Sequence, residues 1–307
     1  MSVKSNSPWL WRAWLFLCLF LAGGVWGFTP ALARVATEGG AHPLGLTLWQ
    51  GFFGGLMLLV ITGIRRKLVP LSRQHLTLYI ICGIIGTALP TTLTFSVAQH
   101  LPVSVFAMLQ STTPLLTYVI AVALRIDGYS PARVAGIVMG FVAVCLLLGP
   151  ASATVGATST MWLLVCLLVP FSYAVENNII ATLRPDGVDD IALLTGMLIC
   201  GALAILPVVI VMDAFAPLSL PPGRIEWATF TMVVINVVSY ASFIYLVRIT
   251  GPVFASQAGY LVVAVGVGVG MLIYDERHSI WVWFAAALLL LGMALVKERV
   301  HRELSTS

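Results

Sequence analysis

The chain has 307 residues, of which 60% are hydrophobic and 9% charged, and it carries a net charge of +4. Soluble domains run near ~25% charged, so a water-exposed globule is excluded and lipid must be the solvent for most of the surface. The positive balance hints at an anionic partner, but its placement along the chain reads as membrane topology, and no nucleic-acid partner is expected.

Tracts free of Asp, Glu, Lys and Arg mark the spans, because a helix needs ~20 apolar residues to cross the hydrocarbon core. Ala13–Ala33 comes first. It follows Lys4 and Arg12 and ends in Ala31-Leu32-Ala33, which imitates a signal-peptidase site, but its 21 uncharged residues exceed a usual signal core and it is read as a retained helix. Gly39–Ile64 holds one span. Gln74–Leu124 holds two, parted at Gln99-His100-Leu101-Pro102. Val134–Val175 also holds two, parted at Gly149-Pro150-Ala151-Ser152, the second continuing to about Leu183. Ile191–Met212, Trp227–Val247, Ile249–Tyr274 and Ser279–Val296 complete ten. The tracts are continuously apolar rather than alternating, so helices and not barrel strands satisfy the backbone in lipid.

With the N-terminus in the cytoplasm, only Arg34, Arg224 and Arg277 of the 16 basic residues fall outside. This obeys the positive-inside rule and predicts a multi-pass protein of the cell (inner) membrane with both termini cytoplasmic.

The chain also repeats itself. Leu101-Pro102-Val103 and Gly251-Pro252-Val253 each open a helix that ends at an acidic residue, Asp127 or Glu276, followed by Gly136 or Ala285 and then Ala143 or Gly292. Trp26 and Tyr173 occupy equivalent positions in the first and sixth spans. The expected fold is therefore an all-α membrane protein of ten transmembrane helices in two inverted five-helix repeats, residues 10–150 and 158–299. Five crossings per half make the second half enter from the opposite side.

These residues, with Trp26-Gly27, the Leu101–Pro114 run, Asp127…Gly136…Gly140 and Asp275-Glu276-Arg277, give a chain that resembles the EamA-like family of the drug/metabolite transporter superfamily. The resemblance implies a central cavity and export of amino acids or similar metabolites. Ala264 stands where the family has proline, and Asp127 where it has glutamate.

Polar residues inside spans ask for a partner or a function. Helical spacing puts Thr87, Thr91 and Thr94 on one face, and likewise Gln110, Thr113 and Thr117; Tyr173, Glu176 and Asn177; Asn236, Tyr240 and Phe243; and Gln257 with Tyr260. Such faces either line a cavity or join helices by hydrogen bonds. Trp26, Thr91, Gln110, Tyr173, Asn177, Asn236, Tyr240, Gln257 and Tyr260 are the candidate substrate-binding residues, together with Glu176, the one Asp, Glu, Lys or Arg well inside a span. Glu176 is suited to proton coupling or to a substrate ammonium, with helix packing as the simpler alternative.

Pro30, Pro90, Pro114, Pro170 and Pro207 are expected to interrupt spans, and four small-xxx-small pairs, such as Gly136-x-x-x-Gly140, to let helices approach. The five cysteines lie in apolar tracts without CxxC spacing and read as small buried hydrophobes. No HExxH, GxSxG or phosphate loop is present, so no catalytic residues, metal or cofactor are expected. The absence of deep Lys or Arg argues against phosphorylated substrates. The reading is a secondary transporter for small neutral, zwitterionic or amphipathic solutes. A membrane-embedded enzyme and a channel are the rivals, and the choice between monomer and homodimer stays open.

Overall fold

A computed structural model describes residues 8–148, 157–185, 187–219, 221–250 and 258–295. Among them the chain forms helices and no strands. Ten helical rods follow in order: α1 (Ala13–Thr37), α2 (Pro43–Ile64), α3 (Arg73–Val97), α4 (Val103–Ala123), α5 (Pro131–Leu148), α6 (Ala157–Leu183), α7 (Asp190–Val211), α8 (Arg224–Thr250), α9 (Ala258–Tyr274) and α10 (Ile280–Leu295). Seven are long and apolar enough to cross a membrane; the apolar parts of α5, α9 and α10 are shorter. The expected break at Gly149–Ser152, the turn at Pro252, Gln257 and the terminal basic residues Lys4, Lys297, Arg299 and Arg302 lie outside the described residues.

Local chemistry explains where rods start, bend and stop. Asp189 caps α7 by accepting from the N–H groups of Ile191 and Ala192 at 3.1 and 3.4 Å. Pro43 opens α2, where no N–H is required. α2, α4, α7 and α9 are each followed by a non-glycine residue in the left-handed region, Arg66, Arg125, Asp213 and Asp275. These form equivalent pairs in the two halves.

α1, α3 and α4 are bent. α1 passes through a π turn at Phe20–Gly24 and a 3-10 turn at Trp26–Phe28 before Pro30. α3 has a π turn at Gly83–Ala88 just before Pro90. In α4, Pro114 has no N–H for the Gln110 carbonyl, and the Thr113 hydroxyl donates to that oxygen instead at 2.8 Å. Pro170 and Pro207 correct the expectation, since each sits inside an uninterrupted helix. The bent sites carry glycines or hydroxyls that absorb a changed hydrogen-bond pattern; the neighbours of Pro207 are aliphatic, and the Ser172 hydroxyl beside Pro170 donates to Leu168 O at 2.7 Å rather than to the carbonyl that the proline leaves.

Packing follows a simple exchange. α2 packs most extensively on α7 and α5 on α10, while α4 lies along α9. α1 packs on α8 and α9, and α6 on α3 and α4. Swapping the first five rods for the last five reproduces this pattern. Close approach needs small residues: a Cβ on Gly292 of α10 would lie 2.6 Å from the Gly136 carbonyl oxygen of α5. Large apolar side chains such as Phe141, Leu203 and Leu272 point outward, as a lipid solvent demands.

Odd-numbered rods begin at one face of the bundle, called near, and even-numbered rods begin at the other, called far. Ion pairs join loop ends at the near face: Arg65 to Asp189 at 3.3 Å, Arg184 to Asp190, and Arg133 to Asp127.

Candidate solute cavity

Three aromatic side chains meet in the middle of the bundle. The bend in α1 presents Trp26 edge-on to Tyr173 of α6, with ring centroids 6.2 Å apart. Tyr240 of α8 packs against the other side of Trp26 at 5.7 Å. All three rings line two cavities and so form the partition between them.

The larger cavity, about 240 Å³, lies on the near side. Its walls are Gln110, Ser111, Thr113, Pro114, Thr117, Tyr118 and Ala121 of α4, Asn177 of α6, Phe243 of α8, and Ala258, Gly259 and Val262 of α9. At roughly 10–15 Å³ per water it has room for on the order of 20 waters, or a small organic molecule. Asp127 and Arg133 line its near end. The Arg133 guanidinium is paired with Asp127 and lies 4.9 Å from the centre of the Tyr118 ring, whose hydroxyl donates to Gly128 O at 3.0 Å. The smaller cavity, about 50 Å³, lies between α2, α3, α7 and α8, with Thr47, Gln50, Thr87, Thr91 and Asn236 in its walls.

Glu176 lines neither cavity. Its side chain is fully buried, and its Oε2 accepts from the Tyr240 hydroxyl at 3.1 Å. Oε1 has no partner, and the carboxylate lies against Gly86, where a Cβ would collide with it. Only a glycine leaves this berth. Among the described residues no cationic side chain pairs with it.

The far ends of α1, α4 and α9 are tied together. Glu276 follows α9 and reaches the first turn of α4, where its Oε1 accepts from Val103 N–H at 2.6 Å. Its Oε2 accepts from Ser104 N–H at 3.1 Å and from the Ser104 hydroxyl at 2.5 Å. An anion at a helix N-terminus is favoured by the unpaired N–H groups and the helix dipole. His278 Nε2 lies 2.9 Å from the same hydroxyl. The Tyr274 hydroxyl donates to Ala31 O at 3.1 Å, and Arg224 pairs with Glu38 at 3.4 Å. The equivalent acid of the first half, Asp127, instead lines the near end of the larger cavity.

A sequence model of the EamA-like transporter family matches residues 13–149 and again residues 160–297. The chain belongs to the EamA-like transporter family. No curated protein matches it. A protein of known crystal structure, 20% identical, superposes with a TM-score of 0.64 over 93% of this chain and 97% of its own length, which speaks to the fold.

In this EamA-like protein the spacing of polar residues separates into two groups. Gln110 and Asn177 line the larger cavity with Trp26, Tyr173 and Tyr240, while Thr91 and Asn236 line the smaller one. Hydrogen bonding between helices is present as well: Asn178 of α6 donates to Thr117 O of α4 at 3.1 Å, and Asn177 donates to the Thr117 hydroxyl at 3.3 Å. The backbone of Tyr260 belongs to α9, but its side chain, like Gln257, lies outside the described residues. Sequence reasoning passed over Gln50 and Thr47. Thr47, Gln50 and Gly54 fall at i, i+3 and i+7 on α2, the same signal that marked the other faces.

Proposed function

We propose that this EamA-like transporter is a secondary carrier that works by alternating access and exports small neutral, zwitterionic or amphipathic metabolites such as amino acids. One observation carries the reading: a cavity walled by rods of both halves extends from the central aromatic rings to the near-face residues Asp127 and Arg133, while the far ends are tied by Glu276. The mirrored contacts support ten crossings in two inverted halves, residues 10–150 and 158–299. The distribution of basic residues supports a cytoplasmic near face, with both termini there and the inner membrane as the site. A cavity reaching toward the cytoplasmic face suits loading for export.

The lining supports the substrate class. Aromatic rings and small apolar groups cover most of the wall, and Gln110 and Asn177 offer amide donors and acceptors. Charge enters only at the near end, through the Asp127–Arg133 pair, which suits the two ends of a zwitterion better than a phosphate. No catalysis and no cofactor are needed for this work.

Counterflow tests the proposal. Proteoliposomes preloaded in turn with each common amino acid are offered the same amino acid in radioactive form. Transient, saturable accumulation of at least one of them is expected, and it should disappear with Trp26→Ala. Linear, unsaturable flux or ohmic current would point to a channel and end the carrier reading.

A further inference from the structure

Two buried polar side chains beside the smaller cavity carry atoms that have nothing to bond. Gln50 is 5% exposed, and neither its Oε1 nor its Nε2 has a partner. Oε1 of Glu176 is in the same condition. Both adjoin one space: Gln50 stands in the wall of the 50 Å³ cavity, and the Glu176 carboxylate lies against Gly86, another part of that wall. Thr87, Thr91 and Asn236 add further polar groups.

Buried donors and acceptors in folded proteins are almost always paired, with ordered water where protein groups do not reach. The space is too small for the body of an organic solute. At roughly 10–15 Å³ each it holds about four waters, and its polar lining meets the requirement of two to four partners per water.

The larger cavity offers no such contact with Oε1. Gly86, against which the carboxylate lies, has no part in its wall, and the Tyr240 hydroxyl is already committed to Oε2. The titratable groups that face Glu176 are Cys82 of α3, Tyr173 of α6 and Tyr240 of α8. None supplies a countercharge. A carboxylate in this position therefore changes charge only when a proton is brought to it or taken away.

We propose that the smaller cavity binds a short chain of waters joining Gln50 to Oε1 of Glu176, and that protons reach Glu176 along this chain rather than through the solute cavity. In the releasing direction the Oε1–H bond breaks as a lone pair of the adjacent water oxygen takes the proton. Successive waters then pass a proton on toward Thr47, one turn inside the far end of α2. Uptake is the reverse, and no other reactant is consumed.

Infrared spectroscopy of the protein in lipid tests this without any solute, so its outcome is independent of the carrier proposal. The protonated-carboxyl band of Glu176 is identified at mildly acidic pH as the band missing from Glu176→Gln, and its downshift is timed after a switch to D2O. Wild type should exchange promptly. Gln50→Met and Asn236→Leu, close in volume but apolar, should each slow exchange by roughly tenfold or more, because exchange then waits on local opening. The amide I band shows which variants are folded, and either folded variant suffices. Wild-type exchange rates in a folded variant, or a wild-type band that stays protiated, would overturn the proposal.

Discussion

Replacing Glu276 by glutamine isolates the far-face tie. The carboxylate accepts three hydrogen bonds from Val103 and Ser104 at the start of α4, and its side chain is 10% exposed. Glutamine keeps one acceptor but turns an amide N–H₂ toward the other donors. Hydrogen bonds to a charged group contribute about 1.5–3 kcal/mol each, and an anion at a helix N-terminus adds about 0.3–1 kcal/mol. The amide recovers part of this, so the far-closed state should lose about 2–3 kcal/mol relative to the far-open one. At about 1.4 kcal/mol per factor of ten, the population moves roughly 30- to 150-fold toward the far-open state. A single cysteine at Ala121, in the wall of the larger cavity, reports this in a background lacking the five native cysteines. Its reaction with a membrane-impermeant maleimide applied at the near face should slow sharply in Glu276→Gln and partly recover in Glu276→Asp, which keeps the charge. Equal labelling rates in wild type and Glu276→Gln would refute the reasoning.

Other consequences are independent of that tie. Thr113→Val leaves the Gln110 carbonyl without a donor and should lower stability by about 1–3 kcal/mol, whereas Thr113→Ser should change little; thermal unfolding in detergent separates them. Gly292→Val drives a side chain into the Gly136 backbone where α5 meets α10 and should cost about 1–3 kcal/mol or more, and a wild-type melting temperature would show that the two rods are not so close. Glu176→Gln preserves shape and the Tyr240 contact but cannot exchange a proton, so transport should lose its dependence on a pH gradient while counterflow persists. Unaltered pH dependence in that variant would leave Glu176 as a packing residue.

The helical rods, seven of them long and apolar enough to cross a membrane, were legible because lipid imposes one requirement on every crossing segment, a long run without charges, and that requirement is local in sequence. The bends were legible in part. Pro30, Pro90 and Pro114 mark the places where α1, α3 and α4 change geometry, but Pro170 and Pro207 sit inside uninterrupted helices. At the bent sites neighbouring glycines and hydroxyls, such as that of Thr113, supply or release hydrogen bonds around the missing N–H, whereas the Ser172 hydroxyl beside Pro170 serves Leu168 O instead. Side-chain direction was less accessible. Helical spacing put Tyr173, Glu176 and Asn177 on one face, yet only packing decides that Tyr173 and Asn177 reach the cavity while the Glu176 carboxylate turns toward Gly86. Asn236 and Gln110 were grouped as cavity candidates, and they line different cavities because Trp26, Tyr173 and Tyr240 stand between. Contacts of this kind join residues from distant parts of the chain, and no local pattern records them.

Sided labelling of two loop cysteines reaches the centre of the account, which is that like-folded halves cross the membrane in opposite senses around a shared cavity. Gly128 in the turn after α4 and Arg277 in the turn after α9 occupy corresponding places in the two repeats. Single cysteines there, treated with an impermeant reagent in intact cells and in inverted vesicles, should react from opposite sides, Gly128→Cys from the cytoplasm and Arg277→Cys from outside. Reaction of both from the same side would contradict inverted halves, and with them the carrier built upon that arrangement.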